Sequence, residues 1–407
     1  MKKSEILVGL DLGSSRIKAV VADVQDRELP EILGIGESAS AGIEAGVIVN
    51  MEKAADAIRE AVEEAEASAE VEIGTAAVAI NGEHIRGIDS RGVIAVSRAG
   101  GEITRAEIAT VVEAAGTLAL PVGRIVLDSL PQEFFVDGQR GIRDPIGMSG
   151  VRLGSQVHIV TAEEQAVDSA KRAVRRAGVR DTGIFVKPIV AALASLSDDE
   201  TELGSLSINM GAGSTSIVVH YGRAVRHVAV VPWGGACVTN DVAVGLRIPI
   251  AKAEQLKREA GCAAALGIED HVVEIPSVGG QEPRQSSTQV LAAIIEPRVR
   301  EIFEMLRDEA KSTEFWGRTP AGVVITGGGA KLAGVANVAE DVFGVPARVG
   351  LPDRVSGLFD AIADPSHAAA VGVIIAASRA PKRRRRRRDN RVSETVNRVR
   401  QWVDNLL

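Results

Sequence analysis

The sequence predicts an α/β protein of two similar lobes, the first of which carries a small α+β insertion. Three observations predict it. An apolar run, a Gly/Ser turn and a second apolar run (ILVGL, DLGSS, IKAVVADV) open the chain and read as a β-hairpin. The same order returns as LGSLSINMGAGSTSIVVHYG (Leu203–Gly222), roughly two hundred residues on, too far apart for a short solenoid repeat. Between the two, over about His84–Glu163, the rhythm breaks into short strands (GVIAVS, RIVLDSL, QEFFVD, QVHIVTA) and one helix, Thr104–Ala119.

Each further element has its own signal. Ala54, Ile58, Ala61, Val62 and Ala65 recur at helical spacing and predict an amphipathic helix over Met51–Ala69, entered at Asn50. A strand, TAAVAING, follows it. Late in the chain GVVITGGGAKLAGV (Gly322–Val335) reads as a buried strand running into three glycines and then a helix. Pro381 closes the globular part, and Lys382–Arg391 is a charge block that repels itself and stays extended.

Charge is unevenly placed. The chain of 407 residues has a formal net charge of −7, yet residues 381–407 hold ten Lys/Arg against three Asp/Glu, so a basic tail hangs from a body of about −14. An acidic body argues against a general nucleic-acid binder, which needs a basic face on the folded domain. The arginines have no interleaved aromatic residue for base stacking, so no specific nucleic acid is expected as a partner. Cys237 and Cys262 lack metal-like spacing and read as reduced thiols, as in the cytoplasm. The N-terminal apolar run is too short for a signal-peptide core, and the longest apolar stretch, Ala368–Ala377, is about half what a bilayer span needs.

The glycine turns suggest phosphate chemistry. In DLGSSRIK, glycine permits close backbone approach, N–H groups and the Ser14 and Ser15 hydroxyls donate to oxygens, and Lys18 supplies a point charge. Asp11 at the strand end is placed to hold a hydrated Mg²⁺. A plain surface hairpin explains this segment alone equally well; two such hairpins facing one another would clamp the phosphates of one nucleotide. No GxxxxGK[ST] or helix-opening GxGxxG is present, so the combination and order of the three Gly-rich segments carry the information.

Together, DLGSSRIKAV, INMGAGSTS and ITGGGAKLAG resemble the two phosphate loops and the adenosine loop of the actin/Hsp70/hexokinase superfamily. Within it, LPQEFFVDGQRGIRDPIGMSGVRL (Leu130–Leu153), EIPSVGGQEPR (Glu274–Arg284) and VLAAIIEPR (Val290–Arg298) resemble segments of the FtsA family of bacterial actin-like division proteins, over nearly all of residues 5–380. The resemblance implies subdomain 1A (1–83, 164–197 and 350–380), an inserted 1C (84–163), 2A (198–227 and 311–349), 2B (228–310), a basic linker (381–393) and an amphipathic helix (394–407). It implies ATP between the lobes, with phosphates on Gly13, Ser14, Ser15, Lys18, Gly211, Gly213, Ser214 and Thr215, and adenosine along Gly327, Gly328 and Gly329. Glu254, Lys257 and Arg258 share one helical face at the position that the superfamily lays beside the ribose and base; an ordinary solvated face is the other reading. The family's partner peptide, the FtsZ C-terminus, would meet 2B, where Arg298 and Arg300 either pair with it or are solvated helix charges. Later division proteins would dock on 1C.

Two departures bear on turnover. Asn209 stands where the superfamily usually has an aspartate that positions Mg²⁺ and the attacking water, and Lys187 falls where a Gln or Glu commonly orients that water. Both lower the expected hydrolysis rate, since catalysis here is mostly positioning and charge stabilisation. The expectation is ATP binding with slow or no hydrolysis. A sugar or acyl-phosphate kinase of the same fold would need a catalytic carboxylate that the sequence does not offer. An MreB-like filament protein would lack the insertion.

The tail has a pattern of its own. At 100° per residue, Val392, Val396, Val399, Trp402, Val403, Leu406 and Leu407 fall within an arc of about 140°, flanked by Arg398 and Arg400. That is the layout of a helix lying in an anionic membrane interface; docking on the body or on another protein is the alternative. The linker would hold it roughly 20 Å away from the acidic body.

Overall fold

The computed structural model describes residues 5–25, 29–96, 101–265, 269–275 and 284–379. The expected linker and amphipathic helix lie outside the described residues.

The first lobe is built on a six-stranded sheet in the order Arg180–Val186, Thr75–Ile80, Ile6–Leu12, Arg16–Asp23, Glu31–Ala39, Ser356–Gly357. Ile6–Leu12, Arg16–Asp23 and Glu31–Ala39 form an antiparallel meander, and Thr75–Ile80 and Arg180–Val186 extend it in parallel. Arg16–Asp23 is buried over six consecutive residues because both sheet faces are covered. Successive side chains point to opposite faces. Ile17, Ala19 and Val21 meet Ile58 and Ala61 of the helix Met51–Ala69, whereas Val20 and Ala22 meet Val371, Ile374 and Ile375 of the helix Ala368–Ser378. The helix Met51–Ala69 begins where its pattern predicts, with Asn50 accepting from Lys53 N at 3.1 Å as N-cap.

The second lobe repeats the plan. Its sheet runs Ala224–Val231, Thr215–Tyr221, Ser205–Met210, Val323–Thr326, Ala347–Val349, again an antiparallel meander followed by two parallel strands. Gly235–Leu246, Thr288–Lys311 and Val335–Phe343 cover one face with Val238, Val242, Ile302, Phe303 and Val338. The helix Lys187–Ser195 lies between the lobes, touching strands of both sheets.

The insertion is an antiparallel four-stranded sheet, in the order Gln139–Ile142, Arg124–Val136, Arg152–Glu163, Arg86–Ala95, with the helix Arg105–Gly116 on its inner face. The sequence suggests separate strands at RIVLDSL and QEFFVD; they are one strand, Arg124–Val136. Pro131, which has no N–H to donate, sits at a register shift opposite Gln156 and Val157, so the pairing survives through a bulge. The bulge residue, Gln132, turns to the second lobe and donates to Arg226 O at 2.8 Å. The helix is shorter than expected at both ends. Thr104 is its capping-box N-cap with Glu107, and the helix ends at Gly116.

Candidate functional site: a cleft between two glycine hairpins

The two hairpin turns meet at the bottom of the cleft. In the first, Leu12 pairs with Ile17 and Asp11 with Lys18, leaving Gly13–Ser15 as the turn; in the second, Met210 pairs with Thr215 and Asn209 with Ser216. A Cβ on Gly13 would overlap the carbonyl of Arg16, so only glycine fits there. A Cβ on Gly213 would come within 2.8 Å of Ser14 Oγ and of the Ala45 backbone. Ser14 Oγ also accepts from Gly46 N at 3.0 Å, and Asn81 Nδ2 donates to Ser214 Oγ at 3.2 Å. The sequence-predicted phosphate residues Gly13, Ser14, Gly211, Gly213 and Ser214 are thus brought together. Ser15 is exposed on the turn, and the Thr215 hydroxyl is committed to Trp233 O at 2.7 Å.

The helix Gly235–Leu246 starts against the second turn. Gly235 N donates to Gly211 O at 2.9 Å and Ala236 N to Ala212 O at 2.8 Å. Lys257, on the helix Ile250–Ala260, donates to Gly235 O at 3.0 Å, Thr239 Oγ1 at 2.7 Å and Glu254 Oε2 at 2.6 Å. Glu254 and Lys257 therefore sit together beside the second turn and tie two helices, while Arg258 is exposed.

The third Gly-rich segment lines the same cleft. Gly327 has a left-handed φ of 85°, and its N–H donates to Pro365 O at 2.9 Å. A Cβ on Gly329 would overlap the Met210 side chain at the end of the second lobe's first strand, whereas Gly328 faces open space. Lys331 pairs with Asp364 just beyond it.

The charged groups are arranged in pairs that the sequence did not disclose. Lys18 is buried and bonded to Glu37 Oε1 at 2.9 Å and to Ser366 Oγ; His367 Nε2 lies 2.6 Å from the same carboxylate oxygen. The hydrogen bond to His367, with help from Lys18, holds the Glu37 carboxyl down at about 2. Burial pushes the Lys18 ammonium below its ordinary value, with Glu37 opposing the shift. Deeper in the cleft, Lys187 Nζ stands 2.5 Å from Asp11 Oδ1, both side chains about nine-tenths buried. Asn209 occupies in the second hairpin the place that Asp11 holds in the first, and its Nδ2 donates to Thr326 Oγ1 at 3.0 Å.

Glu37, Asn81, Asp364, Ser366 and His367 escape a reading of the motifs alone. Asn81 offered a signal, a polar residue ending the buried run TAAVAI. Glu37 offered none, since a charge on a half-buried strand is common.

Of the glycines that would hold a nucleotide, Gly13, Gly213 and Gly329 pack tightly against the protein's own atoms, and Gly328 faces open space beside the cleft. A hydrated Mg²⁺ does not fit there. Its expected carboxylate, Asp11, is neutralised by Lys187, its counterpart is an amide, and among the described residues no three His, Cys, Asp or Glu side chains cluster as metal ligands.

Arg298 and Arg300 lie on the helix Thr288–Lys311 and are engaged within the lobe. Arg298 binds Asp241 Oδ2 at 2.5 Å and Glu301 Oε2 at 2.6 Å and stacks on the Trp233 ring. Arg300 pairs with Glu296 at 3.0 Å and Asp341 at 3.3 Å.

Comparisons with known proteins agree with this architecture. The structure of the PilM–PilN type IV pilus biogenesis complex is similar at 20% identity and a TM-score of 0.66, over 91% of this chain and 98% of that one. MreB5 of Spiroplasma citri bound to ADP is similar at 14% identity and a TM-score of 0.54, over 91% and 95%. The MamK double helical filament has a TM-score of 0.53 at 10% identity, over 92% and 99%. These likenesses establish an actin-like fold. The family model "SHS2 domain inserted in FTSA" matches residues 82–161, and "Cell division protein FtsA" matches residues 206–372. Cell division protein FtsA of Pseudomonas aeruginosa is 38% identical over 92% of this chain and 90% of its own length; those of Neisseria meningitidis and Escherichia coli are 35% and 31% identical over 97% and 99% of this chain and 97% and 96% of their own. The chain belongs to the FtsA family of cell division proteins.

Proposed function

We propose that this protein is an ATP-binding, actin-like scaffold that assembles on the inner face of the cytoplasmic membrane at the division site and tethers FtsZ filaments there. The observation that supports the nucleotide part is the close approach of the two glycine turns, Ser14 against Gly213, which puts backbone N–H groups and hydroxyls of both lobes side by side. ATP in that cradle would bind both lobes at once and set their closure; closure sets the subunit surfaces and hence assembly. Turnover is slow or absent, since Asn209 stands in place of an aspartate that would position Mg²⁺ and the water, and Lys187 in place of a Gln or Glu that would orient that water. In fold relatives one structure holds ADP and another is a double helical filament, which supports both parts of the reading.

The anchor is the segment 394–407 with its arginine-rich linker. Each basic residue near an anionic leaflet contributes about 1 kcal/mol, so the run adds several to a short, marginal apolar face. Single anchors remain reversible; a filament carries many and binds through avidity. The FtsZ C-terminal peptide would dock on the region 228–310, and later division proteins on the insertion.

Co-sedimentation with liposomes tests the reading, comparing the full chain with a protein lacking residues 394–407, on anionic and neutral lipid at two salt concentrations. Binding that prefers anionic lipid, weakens in salt and disappears on truncation is the expected result. Equal binding by both proteins, or by neither, overturns the anchor.

A further inference from the structure

We propose that Lys187 is a built-in counter-cation of the nucleotide cleft, so that this protein binds ATP without a divalent metal. The inference rests on the nucleotide reading above and concerns how the charge of the phosphates is balanced. Three observations carry it.

First, the ammonium is where a metal's water shell would be. Asp11 lies two residues before Gly13 of the first turn, and its Oδ1 forms an ion pair with Lys187 Nζ at 2.5 Å. The charge of a carboxylate so paired is already balanced, and a second positive ion beside the ammonium is repelled. Secondly, the equivalent place on the other hairpin is neutral. Asn209 directs its amide N–H to Thr326 rather than offering a charge. Asp11, Asn209 and Lys187 together are electrically balanced, with no negative surplus to attract Mg²⁺, which is bound through carboxylates and phosphates in combination.

Thirdly, Lys187 is positioned rather than dangling. It is the first residue of the helix Lys187–Ser195, which is wedged between both sheets, and Pro188 behind it fixes the helix start. The ammonium has three donors, and among the described residues Asp11 is its one polar partner. N–H groups therefore remain for anionic oxygens laid over the first turn. Because the helix touches both lobes, the charge also travels with the element that senses their separation.

Isothermal titration of the purified full chain with ATP decides the matter, once in Mg²⁺ buffer and once in EDTA. Affinities within about threefold of each other are expected. Binding at least tenfold weaker in EDTA overturns the proposal and leaves the nucleotide reading standing. No binding in either buffer overturns the nucleotide reading and this proposal with it. The variant Lys187→Gln is expected to bind in Mg²⁺ and to weaken at least tenfold in EDTA, having regained a free Asp11 carboxylate. Equal affinities for this variant in the two buffers, with a wild-type circular dichroism spectrum, would remove Lys187 from the role. Should K187Q not fold, the wild-type comparison alone still decides.

Discussion

Ser14 and Gly213, one from each lobe, approach so closely that a methyl group on Gly213 would come within 2.8 Å of the Ser14 hydroxyl oxygen. Neither turn has space to give, because the same methyl meets the Ala45 backbone at 2.8 Å and Ser14 is already bonded to Gly46 N. Gly213→Ala should therefore hold the turns apart and weaken ATP binding at least tenfold, with a melting temperature close to wild type. Titration calorimetry checks it. Unchanged affinity would show that the turns need not meet.

A second glycine fixes the packing behind the cleft. Gly372 lies inside the helix Ala368–Ser378, where alanine ordinarily stabilises by about 1 kcal/mol. Here a Cβ would overlap the carbonyl oxygen of Val190 on the helix Lys187–Ser195. Overpacking of this kind costs about 1–3 kcal/mol, so the sign reverses and Gly372→Ala lowers stability. Urea unfolding measures the difference, and a more stable variant would refute the close helix contact.

Stability should fall as the solution becomes mildly acidic. Burial lowers His220 from 6.5 to about 4, and its Nε2 is buried without a hydrogen-bond partner. The unfolded chain therefore binds a proton between pH 6.5 and about 4 that the folded chain refuses, so stability is lost as pH drops through that window. His220→Leu removes both the titration and the unpaired nitrogen. Relative to wild type it should gain about 2 kcal/mol more at pH 5 than at pH 7.5, by linkage at 1.36 kcal/mol per pKa unit. Parallel stability curves for the two proteins would contradict it.

Arg298 holds the second lobe together. It ties the helix Thr288–Lys311 to Asp241 of the helix Gly235–Leu246 and covers Trp233. The pair is about a quarter exposed, so Arg298→Ala is expected to cost about 1–2 kcal/mol in urea unfolding rather than the full value of a buried pair. Peptide affinity measured on the same variant separates a direct contact from a loss of structure. A variant as stable as wild type that binds the FtsZ peptide weakly would return Arg298 to the partner surface.

Local signals in the chain are those that local physics fixes. The helix Met51–Ala69 was legible with its cap because apolar spacing and an N-cap asparagine act within a few residues. The paired lobes were legible because a Gly turn between apolar strands leaves a strong trace twice. What escaped depends on distant partners. Lys187 and Asp11 are 176 positions apart, Lys18 and Ser366 are 348, and no periodicity records that two buried charges will neutralise each other. The single strand Arg124–Val136 escaped for a related reason: a bulge at Gln132 lets it continue past Pro131, and the strand it pairs with, Arg152–Glu163, is supplied by tertiary structure.

Vesicle flotation with purified FtsZ filaments tests the central claim most directly. Anionic vesicles are mixed with FtsZ, ATP and either the full chain or the protein lacking residues 394–407, then floated through a density gradient. The account predicts that FtsZ rises with the vesicles in the presence of the full chain and stays below with the truncated protein. FtsZ that remains at the bottom while the full chain floats would contradict it.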